Sequence, residues 1–530
     1  MISVSGLSVA FGPHEVVSDV SFDIAPGEVF AIVGQSGSGK SVTARSLIGL
    51  SGGAVSADRL EIDGVDVLTA SARRMRALRG PTVGFVSQAA LVALDPLRRV
   101  GREVDDALRL HTSMPASARS ERVIELLESV GIPDAAVRTR QRADELSGGL
   151  RQRAIIASAI ALTPRFVIAD EPTTALDSTV AAGILTLLER LRDEGTAILL
   201  ISHDLATVAR LASRIAVMHE GRLVETGPTA SVLGDPRHPY TRSLLAAVPT
   251  GVPRGTPLAR TALTARTALT DGNSGVISRG PVAPAEPHRP TESTPEFPQE
   301  VVLEGRGLRK TFGGRVALDG VSFTLERGRT LGIVGESGSG KTTLARLALA
   351  LETPDAGEVR LFGEPWAGRD RSGHRIGAIY QDALSSFDPR WRVGRILGPN
   401  AGRLLEKVGL DPTLATARPA LLSGGQQQRV GIARALRFEQ QVIICDEPVS
   451  SLDVSAQALV LDLLDDLQAR LGLSYLFISH DLGVVRHMSD DVLVMRDGRV
   501  LEHGPAERVF AHPEHDYTRS LIAAAPTLPR

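Results

Sequence analysis

Lysine is almost missing from this chain. There are four in 530 residues (Lys40, Lys310, Lys341 and Lys407), and arginine carries nearly all the remaining positive charge. Cysteine occurs once, as Cys445 in the apolar run VIICDE. That count excludes disulfide frameworks, iron–sulfur clusters and cysteine-rich zinc sites, and the residue reads as a small buried hydrophobe. A net charge of −2 gives no electrostatic footprint for nucleic acid. No apolar run approaches the roughly 18 residues needed to cross a bilayer. The opening MISVSGLSVAFG also lacks the basic head and apolar stretch of a signal peptide, so the chain is expected to stay in the cytosol. A length of 530 residues exceeds what one core supports and predicts two or more domains.

Two of the four lysines fall at one motif position. GQSGSGKS (34–41) and GESGSGKT (335–342) both fit G-x-x-x-x-G-K-[ST], in which bare backbone N–H groups surround phosphates and the lysine reaches the terminal ones. The apolar runs VFAIV and LGIV precede the loops, and SVTARSLIGL and TTLARLALAL follow them. Strand, loop and helix in that order aim a helix N-terminus at negative charge. Gly34, Ser36, Gly37, Gly39, Lys40 and Ser41 are the binding candidates of the first loop. Gly335, Ser337, Gly338, Gly340, Lys341 and Thr342 are those of the second.

The repeat extends beyond the loops. Lys40 pairs with Lys341 at an offset of 301, and Gln88 with Gln381 at 293. Ser147 and Ser423, opening LSGGLRQR and LSGGQQQR, differ by 276, as do Asp170 and Asp446; His203 and His480, both in ISHDL, differ by 277. Tyr240 and Tyr517, in the shared YTRSL, also differ by 277. Each half is therefore a copy of one domain, and the second copy loses 8 residues before the glutamine and 17 after it. Residues 1–250 and 301–530 read as the two domains. The proline-, threonine- and glycine-rich stretch 251–300, without helical or strand period, reads as a flexible or partly extended tether and not a domain.

Strand-like runs (VFAIV, RFVIAD, AILLIS, RIAVMH) alternate with helical ones, which predicts an α/β fold with a mostly parallel sheet flanked by helices. Between Gln88 and Ser147, SARSERVIELLESVGI has helical spacing and predicts a small helical arm. Asp170–Glu171 and Asp446–Glu447 end apolar strands beside the phosphate loops. The aspartate suits Mg²⁺, and the glutamate suits orientation and deprotonation of an attacking water. His203 and His480 end the next strand, within reach of a terminal phosphate. In LSGG, a serine and two glycines open an arginine-bearing helix and offer a hydroxyl, bare N–H groups and a helix dipole, which makes a second phosphate-binding surface.

Phosphate loop, glutamine, LSGG, DE pair, ALD or SLD turn and histidine, in this order and twice over, resemble the ATP-binding cassette (ABC) family. The resemblance covers essentially all of 1–250 and 301–530. It implies two tandem P-loop NTPase domains, each a RecA-like core with a small helical subdomain, using ATP and Mg²⁺. It implies that the two copies pair head to tail. One ATP would lie between Lys40, Ser41, Asp170, Glu171 and His203 of the first copy and Ser423, Gly424 and Gly425 of the second. The other would lie between Lys341, Thr342, Asp446, Glu447 and His480 and Ser147, Gly148 and Gly149. Gln88 and Gln381 would reach the metal, with Ser41, Thr342, Asp170 and Asp446. Phe11 and Phe312 resemble the family's adenine-stacking aromatic.

The tails DPRHPYTRSLLAAVP (235–249) and HPEHDYTRSLIAAAP (512–526) resemble the C-terminal element of peptide and nickel importer ATPases. EPTTALD followed by EPVSSLD resembles their first and second subunits. Leu150 stands where most of the wider family has glutamine, and Asp516 replaces the proline equivalent to Pro239. The resemblance implies a peripheral ATPase on the cytoplasmic face of the membrane. It would drive two integral-membrane permease subunits, served by an extracytoplasmic binding protein, with di- or oligopeptides as cargo. The shortened second arm then implies unequal coupling to the permease. A soluble two-cassette ATPase acting on ribosomes or DNA would share every ATP motif, but the near-neutral charge and the YTRSL tails speak against it. ATPases of nickel, glutathione or sugar importers remain alternatives for the cargo.

Overall fold

The structure is a computed structural model that describes residues 2–87, 94–174, 176–259, 300–366, 376–525 and 528. Packing divides it into two compact units. One comprises Met1–Leu245, Leu452–Ser455 and Ser520–Arg530, and the other Ala246–Ser451 and Ala456–Arg519.

In the first unit, the fully apolar runs become the buried strands of a six-stranded sheet. The order is Arg222–Pro228, Arg214–His219, Val29–Val33, Ala197–Ile201, Phe166–Asp170, Val83–Val86, and only the first pair is antiparallel. Parallel strands covered on both faces need apolar side chains all along, which is why these runs do not alternate. Val29–Val33 is buried at every residue. The second unit repeats the sheet: Ile376–Ile379, Val442–Asp446, Ser474–Ile478, Thr330–Val334, Asp491–Arg496, Arg499–Pro505.

A second, antiparallel sheet in each unit goes beyond the mostly parallel architecture expected. In the first it joins His14–Ile24, Ile2–Phe11, Arg59–Ile62 and Val65–Asp66, with Ala54–Ser56 also on Ile2–Phe11. In the second it joins Arg315–Glu326, Val301–Phe312, Ala356–Leu361 and Glu364–Pro365. These strands do alternate: Val20, Phe22 and Ile24 are buried while Ser21 and Asp23 face out. Their apolar side packs into the same core cluster as Phe30, Ile32, Ile168 and Leu199.

The stretch read as a helical arm carries Val100–His111 and Ala116–Ser129 in the first copy. The second copy has only Val393–Leu397 and Ala401–Lys407 at that place. The two helices are together 14 residues shorter, so most of the 17 missing residues are taken from the helices themselves. Of the other 8, two fall before Gly363, which matches Gly64 at an offset of 299, and six fall near 367–375, outside the described residues. Among the described residues no helix is long and apolar enough to cross a membrane.

The stretch expected to be a flexible tether begins as an ordered strap. Residues 251–259 pack on the second unit because they bring their own polar partners. The N–H groups of Leu258 and Ala259 each donate to the Asp462 carboxylate at 2.8 Å, and the Leu258 side chain is buried. Arg254 donates to Gln468 Oε1 at 2.7 Å and pairs with Asp490. The buried His487 donates through Nδ1 to the Val252 carbonyl at 3.2 Å, and its Nε2 lies 3.9 Å from Asp465. Composition alone suggested a flexible or partly extended linker; three aspartates at the docking surface supply what composition did not show.

Burial pushes the Asp465 carboxyl up to about 6, although His487 and Arg254 draw it down and Asp462 and Asp490 raise it further. A carboxyl with a raised folded pKa retains a proton that the unfolded chain releases, so its ionisation costs stability as pH rises through about 6. Arg254 offsets that cost only while Asp465 is charged. Arg254→Ala is expected to lower the melting temperature of the full chain by about 2–6 °C at pH 8 and by clearly less at pH 5.5. Differential scanning fluorimetry at the two pH values checks this. Equal losses would mean that Arg254 does not balance the Asp465 charge.

Candidate nucleotide site

Each phosphate loop sits at the C-terminal end of a central parallel strand, where open α/β sheets place their ligands. Gly34 has φ 153 in the loop, and a Cβ there would stand 2.2 Å from the Met218 carbonyl oxygen. Gly335 repeats this against Met495, at φ 152 and 2.1 Å. No other residue fits so close to a neighbouring strand end. Ser36, Gly37, Ser337 and Gly338 form the exposed crest of the loops, and Gly39 and Gly340 turn them into the helices Lys40–Leu47 and Lys341–Ala348 with left-handed φ of 105 and 102. Lys40 is buried, and its Nζ donates to the carbonyls of Gly34 and Gln35, both at 2.8 Å. Lys341 does the same to Gly335 and Glu336, at 2.7 and 2.8 Å. Burial pulls the Lys40 ammonium below its ordinary value, against the attraction of Glu171 and Asp170.

Ser41 Oγ donates to Asp170 Oδ1 at 2.9 Å. Among the described residues Asp170 Oδ2 is buried without a hydrogen-bond partner, its nearest cation being the Arg45 guanidinium at 3.9 Å. Burial raises the Asp170 carboxyl and takes that of Asp446 up to about 6, with the neighbouring glutamate adding to each. In the second unit Thr342 and Asp446 line a cavity of about 200 Å³ together with Arg346 and Tyr380.

The glutamates are set apart by their backbone. Glu171 and Glu447 have φ of 50 and 51, a left-handed conformation costly for a non-glycine residue, and each N–H donates at 2.9 Å to the next strand's last residue, Ile201 or Ile478. Strain repeated in both copies turns each carboxylate toward the histidine. His203 Nδ1 lies 3.2 Å from Glu171 Oε1, and His480 Nδ1 lies 3.2 Å from Glu447 Oε2. Thr174 Oγ1 donates to Glu171 at 3.0 Å, and Gln381 Nε2 to Glu447 at 2.9 Å. Burial pushes both carboxyls up, but the histidine bond and nearby lysine outweigh it and hold both below the usual range. The histidines shift the other way. Burial lowers them, the glutamates more than compensate, and both end above the ordinary value.

The structure thus gathers, in each unit, the phosphate loop, the aspartate, the glutamate and the histidine. Gln381 joins its cluster, whereas Gln88 lies outside the described residues. Ser147 and Ser423 cap the helices Gly148–Ile160 and Gly424–Ala435, accepting from the N–H of Leu150 and Gln426. Gln426 returns a bond to the Ser423 N–H at 3.0 Å; Leu150 has no group to do so. Gly149 and Gly425 are packing glycines, where a Cβ would come within 2.7 Å of Val180 and 3.2 Å of Ala456. Gly148 differs, since a Cβ there would meet nothing within 4 Å among the described residues. Phe11 and Phe312, at 39% and 43% exposure, are surface rings and not core. Residue-by-residue reading missed Thr174, whose only signal was its place after the DE pair.

The profile of the ABC transporter family matches residues 17–174 and 318–450, and that of the oligopeptide/dipeptide transporter C-terminal region matches 224–275 and 501–530. A peptidoglycan transport ATP-binding protein of Agrobacterium fabrum is 41% identical, over 99% of this chain and 96% of its own. A glutathione import ATP-binding protein of Escherichia coli O157:H7 is 39% identical over 99% and 89%. An oligopeptide transport ATP-binding protein of Mycobacterium tuberculosis is 39% identical over 99% and 98%. A solved archaeal ribosome recycling factor, in complex with a ribosomal stalk protein, covers 94% of this chain and 90% of its own at a TM-score of 0.63 and 22% identity, a likeness of fold alone. The chain belongs to the ABC transporter family and is an ATPase with two ATP-binding cassettes, each followed by the C-terminal region of oligopeptide and dipeptide transporters.

Proposed function

We propose that this chain is the motor of an importer of di- or oligopeptides. It would lie on the cytoplasmic face of the membrane against two integral permease subunits, with an extracytoplasmic binding protein delivering the cargo. The observation that carries this reading is the oligopeptide/dipeptide C-terminal region, present after both cassettes. Its relatives are named for transport of peptidoglycan, glutathione and oligopeptides, all peptide-bearing compounds, which favours that cargo class over nickel or sugars. The domains are 1–250 and 301–530, and two ATP molecules bind between head-to-tail cassettes.

Ser41 with Asp170, and Thr342 with Asp446, suit a hard divalent cation such as Mg²⁺; the buried Asp170 Oδ2, unpartnered among the described residues, would serve as an oxygen ligand. Bound there, Mg²⁺ would neutralise charge on the phosphates. The chain does the rest. The lysines exchange their loop carbonyls for phosphate oxygens, Glu171 and Glu447, already ionised, orient and deprotonate water, and His203 and His480 hold those carboxylates and sense the terminal phosphate.

Changing Glu171 and Glu447 together to glutamine is expected to lower ATP turnover about 10²- to 10⁴-fold with ATP binding kept; unchanged turnover would remove the general-base role. With ATP present, that double variant should carry two integral membrane proteins through affinity purification from gently solubilised source cells. Ribosomal or DNA-repair partners in their place would overturn the importer reading and leave the ATPase intact. Gly148→Val should leave the melting temperature unchanged while reducing turnover at the site built on Lys341. A change confined to the site built on Lys40 would refute the head-to-tail pairing.

A further inference from the structure

The YTRSL tail reads as a capping helix, and the nucleotide chemistry above makes no use of it. Its tyrosine nevertheless touches the phosphate loop. Tyr240 is buried, and its hydroxyl accepts the backbone N–H of Gln35 at 3.0 Å. In the second cassette Tyr517, also buried, accepts the N–H of Glu336 at 3.0 Å. Gln35 and Glu336 hold the second position of the two loops, and their own carbonyls receive the lysine Nζ. One residue is therefore held from both sides: its N–H by the tail and its carbonyl by the lysine that must leave for a phosphate.

The surrounding residues are arranged to deliver that hydroxyl. Glu225, on the strand Arg222–Pro228, accepts the N–H groups of Arg237 and His238 at 2.8 and 3.0 Å. His238 Nδ1 accepts the Tyr240 N–H at 3.2 Å. Glu502 accepts those of Glu514 and His515 at 2.9 and 3.1 Å, and His515 Nδ1 that of Tyr517 at 3.0 Å. Pro239 and Asp516 take the first helical position, where proline's missing N–H is not needed and an acid meets the positive helix end. The ring is held as well. His219 stacks on Tyr240 with centroids 3.9 Å apart, and the Arg496 guanidinium lies 4.8 Å from the Tyr517 centroid. Both follow the residue, Met218 or Met495, whose carbonyl forces the first loop glycine.

We infer that Tyr240 and Tyr517 are positioning residues for ATP binding: each fixes the loop peptide from which the lysine is released to the phosphates of its own cassette. A helix that only closed the domain could present any apolar side chain here. The hydroxyl matters because a flipped or loosened peptide at Gln35 would misplace both the loop and its lysine. The inference rests on the assignment of ATP to these loops.

The test uses the full chain and titrates a fluorescent ATP analogue with Mg²⁺. Lys341→Ala leaves the first loop as the reporting site, and Lys40→Ala leaves the second. Tyr240→Phe keeps the ring and removes the hydroxyl. It is expected to weaken binding about 3- to 10-fold in the Lys341→Ala background, with no change in the Lys40→Ala background. Tyr517→Phe should show the reverse pattern. In the otherwise unchanged chain, the KM for ATP should rise by a similar factor, with kcat held within about 2-fold. Unaltered affinity in both backgrounds would overturn the inference. So would equal losses at both sites, which a general structural role would cause. If the chain without any substitution failed to bind the analogue, the ATP assignment would fall first and the inference with it; normal binding there combined with silent phenylalanine variants refutes the inference alone.

Discussion

Much of the structure depends on one close approach of backbones. Beside the phosphate-loop strand runs its parallel neighbour, with Ile32 opposite Ala216 and Val33 opposite Val217. Its next residue, Met218, projects a carbonyl into the space where a side chain of Gly34 would be. The glycine lets the loop fold tightly over that strand end, and this in turn brings the lysine back onto the loop carbonyls. The same strand end continues to His219, against which the tail tyrosine packs. Sheet register, loop geometry and tail placement are thus consequences of one contact, made again at Gly335, Met495 and Arg496.

A second constraint acts on the carboxylates. Adjacent acids at the end of a buried strand repel each other, and burial raises both; the protein separates their fates by hydrogen bonding. Asp170 has one oxygen unpartnered among the described residues and is raised, whereas Glu171, rotated by its left-handed backbone onto His203 and Thr174, stays ionised. The strain at the glutamate is the means of that separation. An extended backbone would continue the alternation of the strand and send the side chain away from the histidine.

The parts of this arrangement legible in the sequence were those with a local chemical signature. The loop glycines and lysines, the DE pairs and the histidines are named by spacing, and the buried strands by unbroken apolar runs. The antiparallel sheet had a signal too, in the alternation of Val20, Phe22 and Ile24, but short alternating stretches are less distinctive than apolar runs. The strap was illegible for a different reason. Leu258 and Arg254 look like any linker residues, and only Asp462, Gln468 and Asp490, more than 200 residues away, give them partners. The tyrosine hydroxyl belongs with the strap: its constant offset of 277 showed a repeated residue, while the atom it serves lies 205 residues earlier in the chain.

The two copies amount to a mutational series within one molecule. Where they differ, the physical role is usually kept. Ser41 becomes Thr342, another hydroxyl; His219 becomes Arg496, another group that rests on a tyrosine face; Pro239 becomes Asp516, another residue suited to a helix start. Leu150 breaks the pattern. Gln426 closes a reciprocal cap on Ser423, and leucine cannot, so the first signature helix holds its serine by one bond where the second uses two. The arms diverge as well, with helices of 12 and 14 residues in the first copy against 5 and 7 in the second. The loop glycines and lysines, the acids and the histidines are the same in both copies, and the larger differences collect in the arms and the signature caps.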